Sequence, residues 1–122
     1  MTEHLEKQLY LIDPVFFEEA IACINKEMDE MNTCMAFGCE CGDGWFEPLK
    51  TFVHKTKLLN ELGKQYNIKF VCNQLKEKFG TLRVYSSTKK IEKDINLKPG
   101  FEVLEKMFDD ALKQCEDDCL HV

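Results

Sequence analysis

Nothing in this 122-residue chain approaches the roughly 20 consecutive apolar residues that a membrane span requires. Its first residues, Met1-Thr2-Glu3-His4-Leu5-Glu6, lack the basic and then apolar stretches of a signal peptide. The chain is therefore expected in the cytoplasm, without a membrane partner. Repeats, low-complexity tracts and linkers are also missing. The length suits one domain, and 44% hydrophobic residues supply its core. There is no paired Cys-x-x-Cys, no glycine-rich phosphate loop and no Cys/His or carboxylate motif from which catalysis could be argued. His4 and His121 lie near the ends and His54 on a helix, so the chain reads as a binder before an enzyme.

Cysteine is not scarce. The seven are an odd number, so full pairing within one chain would leave a thiol over, and without a secretion signal reduced thiols are expected. Cys39 and Cys41, joined by Cys34, Cys115 or Cys119, have the chemistry for a tetrahedral zinc site. Cys115 and Cys119 stand one helical turn apart. The competing reading makes Cys115 part of an apolar stripe, since buried thiols pack as small hydrophobes. Cys23 and Cys72 fall in patterned elements and are read as packing residues. No cofactor is expected, with zinc as the one candidate.

The net charge of −6 conceals an uneven distribution. Residues 1–66 carry 6 basic and 12 acidic side chains, residues 67–93 carry 7 and 2, and residues 94–122 carry 3 and 8. Only the middle segment, at +5, can attract an anion or an acidic partner.

Residues 8–12 are short and apolar and fit either a strand or a helix start. Asp13-Pro14 reads as an N-cap followed by a first-turn proline. From there Phe17, Ile21, Ile24, Met28 and Met31 step by four and three, predicting a helix of about five turns. Glycines and cysteines break the pattern over 32–44, which reads as a loop. Trp45, Leu49, Phe52, Thr56 and Leu59 mark a second helix, ended by Gly63 or Asn67. Ile68, Phe70 and Cys72 then alternate with polar neighbours, as do Leu82 and Val84, and a glycine-containing turn over 76–80 joins them as a β-hairpin. After Pro99-Gly100, the residues Phe101, Leu104, Phe108, Ala111 and Cys115 give a final helix. The expected fold is α+β, with three amphipathic helices on a small antiparallel sheet and an uncertain third strand at the N-terminus.

Two motifs carry a family resemblance. Cys41-Gly42-Asp43-Gly44-Trp45-Phe46, and some thirty residues later Gln74-Leu75-Lys76-Glu77-Lys78-Phe79-Gly80-Thr81-Leu82-Arg83-Val84-Tyr85, resemble a pattern in small proteins encoded by bacteriophages and prophages. The likeness covers roughly residues 36 to 86. Those proteins often end in a Thr-Cys-Glu-x-x-Cys-Gly-like segment, and Gln114-Cys115-Glu116-Asp117-Asp118-Cys119 departs from it by lacking the glycine. The resemblance implies an origin more than a mechanism.

The hairpin is the leading candidate site. Lys76 and Lys78 are expected in or beside the turn, with Arg83 and Tyr85 on one face of the return strand. Arginine grips phosphate or carboxylate with a planar fork, and tyrosine adds a flat surface and a hydroxyl. The plain alternative is a solvated hairpin whose lysines protect a sheet edge. Phe79, Gly80 and Leu82 are assigned to turn and packing needs. Asp43 and Trp45 form a second candidate: a helix N-terminus that receives an anion, or else a structural cap and a core anchor. These residues point to a non-enzymatic binding protein, for which the resemblance implies a phage origin. Its target would be a host protein, in interference with host defence, or a small anion such as a nucleotide. A zinc-stabilised nucleic-acid-binding module and a small hydrolase or transferase are the alternatives.

Overall fold

The computed structural model describes residues 1–29 and 32–122. The stripes repeating every three and four residues become two long helices, Phe46–Gly63 (α3) and Phe101–Leu120 (α4). The first buries Leu49, Phe52, Val53 and Leu59, and the second buries Leu104, Phe108, Ala111, Cys115 and Cys119. Both lie against one face of a sheet whose long strands, Ile68–Lys78 (β2) and Thr81–Lys90 (β3), pair antiparallel. That inner face contributes Ile68, Phe70, Cys72, Leu75 and Leu82 to the core. The Phe70 and Phe108 rings stack with centroids 4.7 Å apart and planes 5° apart. Phe16 and Phe52 close edge-on around Phe108, so sheet, helices and the 13–17 turn share one aromatic centre.

The α+β class is as expected, but among the described residues the architecture has four α-helices rather than three, and a three-stranded mixed sheet. Residues 8–12 belong to a helix, Glu3–Ile12 (α1), rather than a strand. Leu5 and Ile12 extend the spacing around Leu9, so the helical period begins before the apolar run does. The expected five-turn helix shrinks to Glu18–Ile24 (α2). It ends at Asn25, and Lys26 takes a left-handed φ of 61° that no helix continues through. Ile24 is exposed, Met28 is half-buried, and Met31 lies outside the described residues. The third strand is Cys39–Glu40 (β1), inside the segment read as a loop, and it pairs parallel with β2 at Leu75 and Lys76. Two residues show no alternation, so periodicity could not reveal it.

The N-cap of α2 is Phe17, without a side-chain cap, and not Asp13, which stands at the C-terminal end of α1 and holds the turn that follows. The Asp13 Oδ1 accepts the backbone N–H groups of Val15 at 3.2 Å and Phe16 at 3.1 Å. Its Oδ2 accepts the Thr56 hydroxyl at 2.7 Å and the Asn60 amide at 3.0 Å. Asn60 in turn accepts the Phe70 N–H at 2.7 Å, so this buried network joins the turn before α2 to α3 and β2. At the foot of α3, Gly63 lets the chain pass within van der Waals reach of β2. A Cβ there would meet the Ile68 carbonyl at 2.5 Å.

Removing the Asp13 carboxylate takes the acceptor from two backbone N–H groups and one of two acceptors from the buried Thr56 and Asn60 side chains, which keep the Val53 and Phe70 carbonyls. Asp13→Ala is therefore expected to cost about 3 kcal/mol or more in urea unfolding. Lys106→Ala, which breaks an exposed pair with Asp110 one turn away, should cost no more than about 0.5 kcal/mol.

Candidate functional site

Strand alternation gives the hairpin an inner and an outer face, and one irregularity decides which residues share the outer one. The register shifts between Cys72 and Gln74, leaving Asn73 as an extra residue on β2. Beyond that bulge Gln74 stands opposite Tyr85, Lys76 opposite Arg83 and Lys78 opposite Thr81. Before it, Val71 stands opposite Ser87 and Lys69 opposite Lys89. The structure thus brings the four hairpin residues named from sequence together on one face, toward its tip. Lys78 ends β2 beside the turn, as expected, while Lys76 lies two residues back within the strand.

The root of this face is covered by α2. Lys69 lies 2.9 Å from Glu18, and Lys89 lies 3.4 Å from Glu19. The bulge aims Asn73 at Glu19, 2.9 Å away, while Asn73 accepts the Ser87 hydroxyl at 2.6 Å. Thr33 donates a short hydrogen bond to the other Glu19 oxygen. Val71 is fully buried here, on the side of the sheet away from the main core. The like-charged cross-strand pair Lys69/Lys89 is therefore neutralised by two adjacent carboxylates. Periodicity gave no sign of this network, because it depends on the bulge.

The tip half is bare. Among the described residues, no ion pair reaches Lys76, Lys78 or Arg83, and Arg83 is the chain's only arginine. The Lys76 ammonium lies 6.0 Å from the Tyr85 ring centre, and Glu40 neighbours Lys76 on β1. The turn itself consists of Phe79 and Gly80, with φ of 53° and 77°. Two positive φ values define the turn type that favours Asn-Gly, since left-handed backbone costs a residue with a side chain roughly 1–2 kcal/mol. Phe79 nevertheless occupies it, 91% exposed, with Lys78 5.8 Å from its ring centre. Assigning Phe79 to packing is thus corrected: it packs on nothing in the core. The signal was available in the spacing, since continuing the strand alternation through Lys78 leaves only Phe79-Gly80 for the turn.

Asp43 and Trp45 are held elsewhere. The Asp43 carboxylate accepts the Thr2 N–H at 2.8 Å and so braces the start of α1, while α3 has no side-chain cap. Trp45 is half-buried against the edge of the core.

The cysteines are all free. Burial pushes the Cys39 thiol up to about 12 and the Cys41 thiol up to about 11, opposite to the lowering that a reactive thiol at a helix start would show. Burial also raises Cys72, Cys115 and Cys119. The Cys115 thiol donates to the Pro48 carbonyl at 3.6 Å, and the Cys72 thiol lies 3.6 Å from the Met35 sulfur. Among the described residues, no three histidine, cysteine, aspartate or glutamate side chains are grouped to hold a metal. His4 lies on α1, His54 on α3 and His121 just beyond α4, all exposed. No helix of the described residues is long and apolar enough to cross a membrane. Compared with family models, curated proteins and solved structures, the chain matches none.

Two outcomes follow for the thiols. In the native protein a thiol reagent should modify exposed Cys34 first and Cys23 more slowly, the other five reacting only on unfolding. Stability should also fall as pH climbs past 9.0, the ordinary thiol value. Unfolded thiols then release protons that the folded ones hold to about 12, so the folded state loses ground across that window. Denaturant titrations at pH 8 and 10.5 would measure the difference.

Proposed function

We propose that this chain is a non-enzymatic binding protein that takes the anionic group of a partner on the outer face of the β2–β3 hairpin. The observation that carries this reading is the contrast along that face. Lys69 and Lys89 are ion-paired with glutamates, whereas Lys76 and Arg83, the equivalent cross-strand pair nearer the tip, form no ion pair among the described residues, Glu40 standing beside Lys76 in register without bonding to it. Like charges directly opposite one another oppose pairing by a few tenths of a kcal/mol, and a bound carboxylate or phosphate would remove that repulsion. The arginine fork supplies two parallel donors, the lysines add charge, and Tyr85 contributes a ring and a hydroxyl.

Resemblance to phage and prophage proteins makes a component of the host cell the natural target, with interference in host defence as the corresponding role. The net charge of −6 disfavours broad association with nucleic acid and favours a contact confined to this one positive region.

Thermal shift against nucleotides, polyphosphate and acidic peptides tests the reading, since a ligand of the folded state raises the melting temperature. Arg83→Gln should weaken any such binding by about tenfold and leave the unliganded melting temperature equal or slightly higher. If Arg83→Glu and Lys76→Glu left every detected interaction unchanged, the face would have no binding role.

A further inference from the structure

Phe79 is unexplained by a small anion. Nothing in a phosphate or carboxylate rewards a phenyl ring at 91% exposure, and the turn beneath it would form more easily with asparagine. A single exposed ring is ordinary by itself, but one that burdens its own turn and stands beside Lys76 and Arg83, unpaired among the described residues, offers an apolar contact at the edge of a charged face.

The fold also contains a worked example of what covers this face. On its root half, α2 presents the consecutive carboxylates Glu18 and Glu19 to the opposed pair Lys69 and Lys89, and Val71 is buried. The bare half repeats the charge pattern with Lys76 and Arg83 and replaces the buried valine by an exposed aromatic at the end. From Gln74 to Lys78 the strand advances about 14 Å at roughly 3.4 Å per residue, the length of about two and a half helical turns.

Resting on the reading above, we infer that the partner is a protein presenting an acidic amphipathic helix. Its carboxylates lie across Lys76 and Arg83 and its apolar side receives Phe79, extending over the tip the cover that α2 provides at the root. A bilayer fits less well, because an anionic surface would repel a chain of net charge −6.

A suitable probe is a labelled 18-residue helical peptide with paired glutamates and leucines in the manner of Glu18-Glu19-Ala20-Ile21, compared with its glutamine counterpart by fluorescence anisotropy. The glutamate peptide should bind at least tenfold more tightly than the glutamine one, with the preference shrinking in high salt. Phe79→Asn should raise the melting temperature by giving the turn its favoured Asn-Gly, yet weaken peptide binding about tenfold. Phe79→Trp should retain it. Failure of the glutamate peptide to bind would overturn the inference. So would equal binding by Phe79→Asn, although continued dependence on Arg83 would then leave the anion-binding face intact. Loss of dependence on both residues would remove both. If the chain alone sedimented as a dimer that Phe79→Asn dissolved, the occupant would be a second copy and the acidic-helix partner would be wrong.

Discussion

The buried carboxylate of Asp13 is the interaction on which the arrangement depends. It stands 2% exposed and draws four hydrogen bonds from two backbone N–H groups, a hydroxyl and an amide. A charge taken out of water is tolerable only when its lone pairs are satisfied, and these partners come from two separated stretches of chain. The short turn before α2 is therefore locked to α3, and Asn60 passes the connection on to Phe70 in β2. Phe16 and Phe17 are held against the aromatic centre by the same turn. Because α2 follows directly, the side of the sheet that it covers is settled by a group buried on the other side.

That placement explains the division of the hairpin. α2 is only seven residues long, so it screens the root and stops short of the tip. The bulge at Asn73 gives Glu19 a further partner, and it also resets the alternation so that Lys76 and Arg83 share a face with Tyr85. Regular pairing through residue 73 would have reversed which of the later β2 residues faced outward. The binding face proposed for the tip and the polar cover at the root are thus consequences of one irregularity.

How much of this could be read in advance varied with the length of the pattern. Leu104, Phe108, Ala111 and Cys115 repeat over enough turns to define α4, and Leu49 through Leu59 do the same for α3. The N-terminal third was read less well because its helices are short and cooperate through tertiary contacts. Asp13 was legible as a residue that holds nearby backbone N–H groups, but not its place at the end of α1, and its bonds to Thr56 and Asn60 cross more than forty positions. β1 has two residues and no period. At the candidate site, composition identified Lys76, Lys78, Arg83 and Tyr85. It placed Phe79 in the turn but missed that the ring would stand in solvent, because an aromatic beside a glycine suggests packing. Asp43 and Trp45 matched a motif whose residues serve α1 and the edge of the core, and the cysteines were separated by burial in ways that spacing does not encode.

The pairing of Glu18 and Glu19 with Lys69 and Lys89 also bears on how an encounter would proceed in time. Pairing Lys69 and Lys89 leaves Lys76, Lys78 and Arg83 as the cations of the outer face without an ion pair among the described residues, while the acidic remainder of the chain repels an approaching anion from other directions. An incoming acidic surface would be turned toward the tip before touching it. Ionic strength would then act chiefly on how often productive collisions occur, while the lifetime of the complex would be governed by the contacts made after arrival.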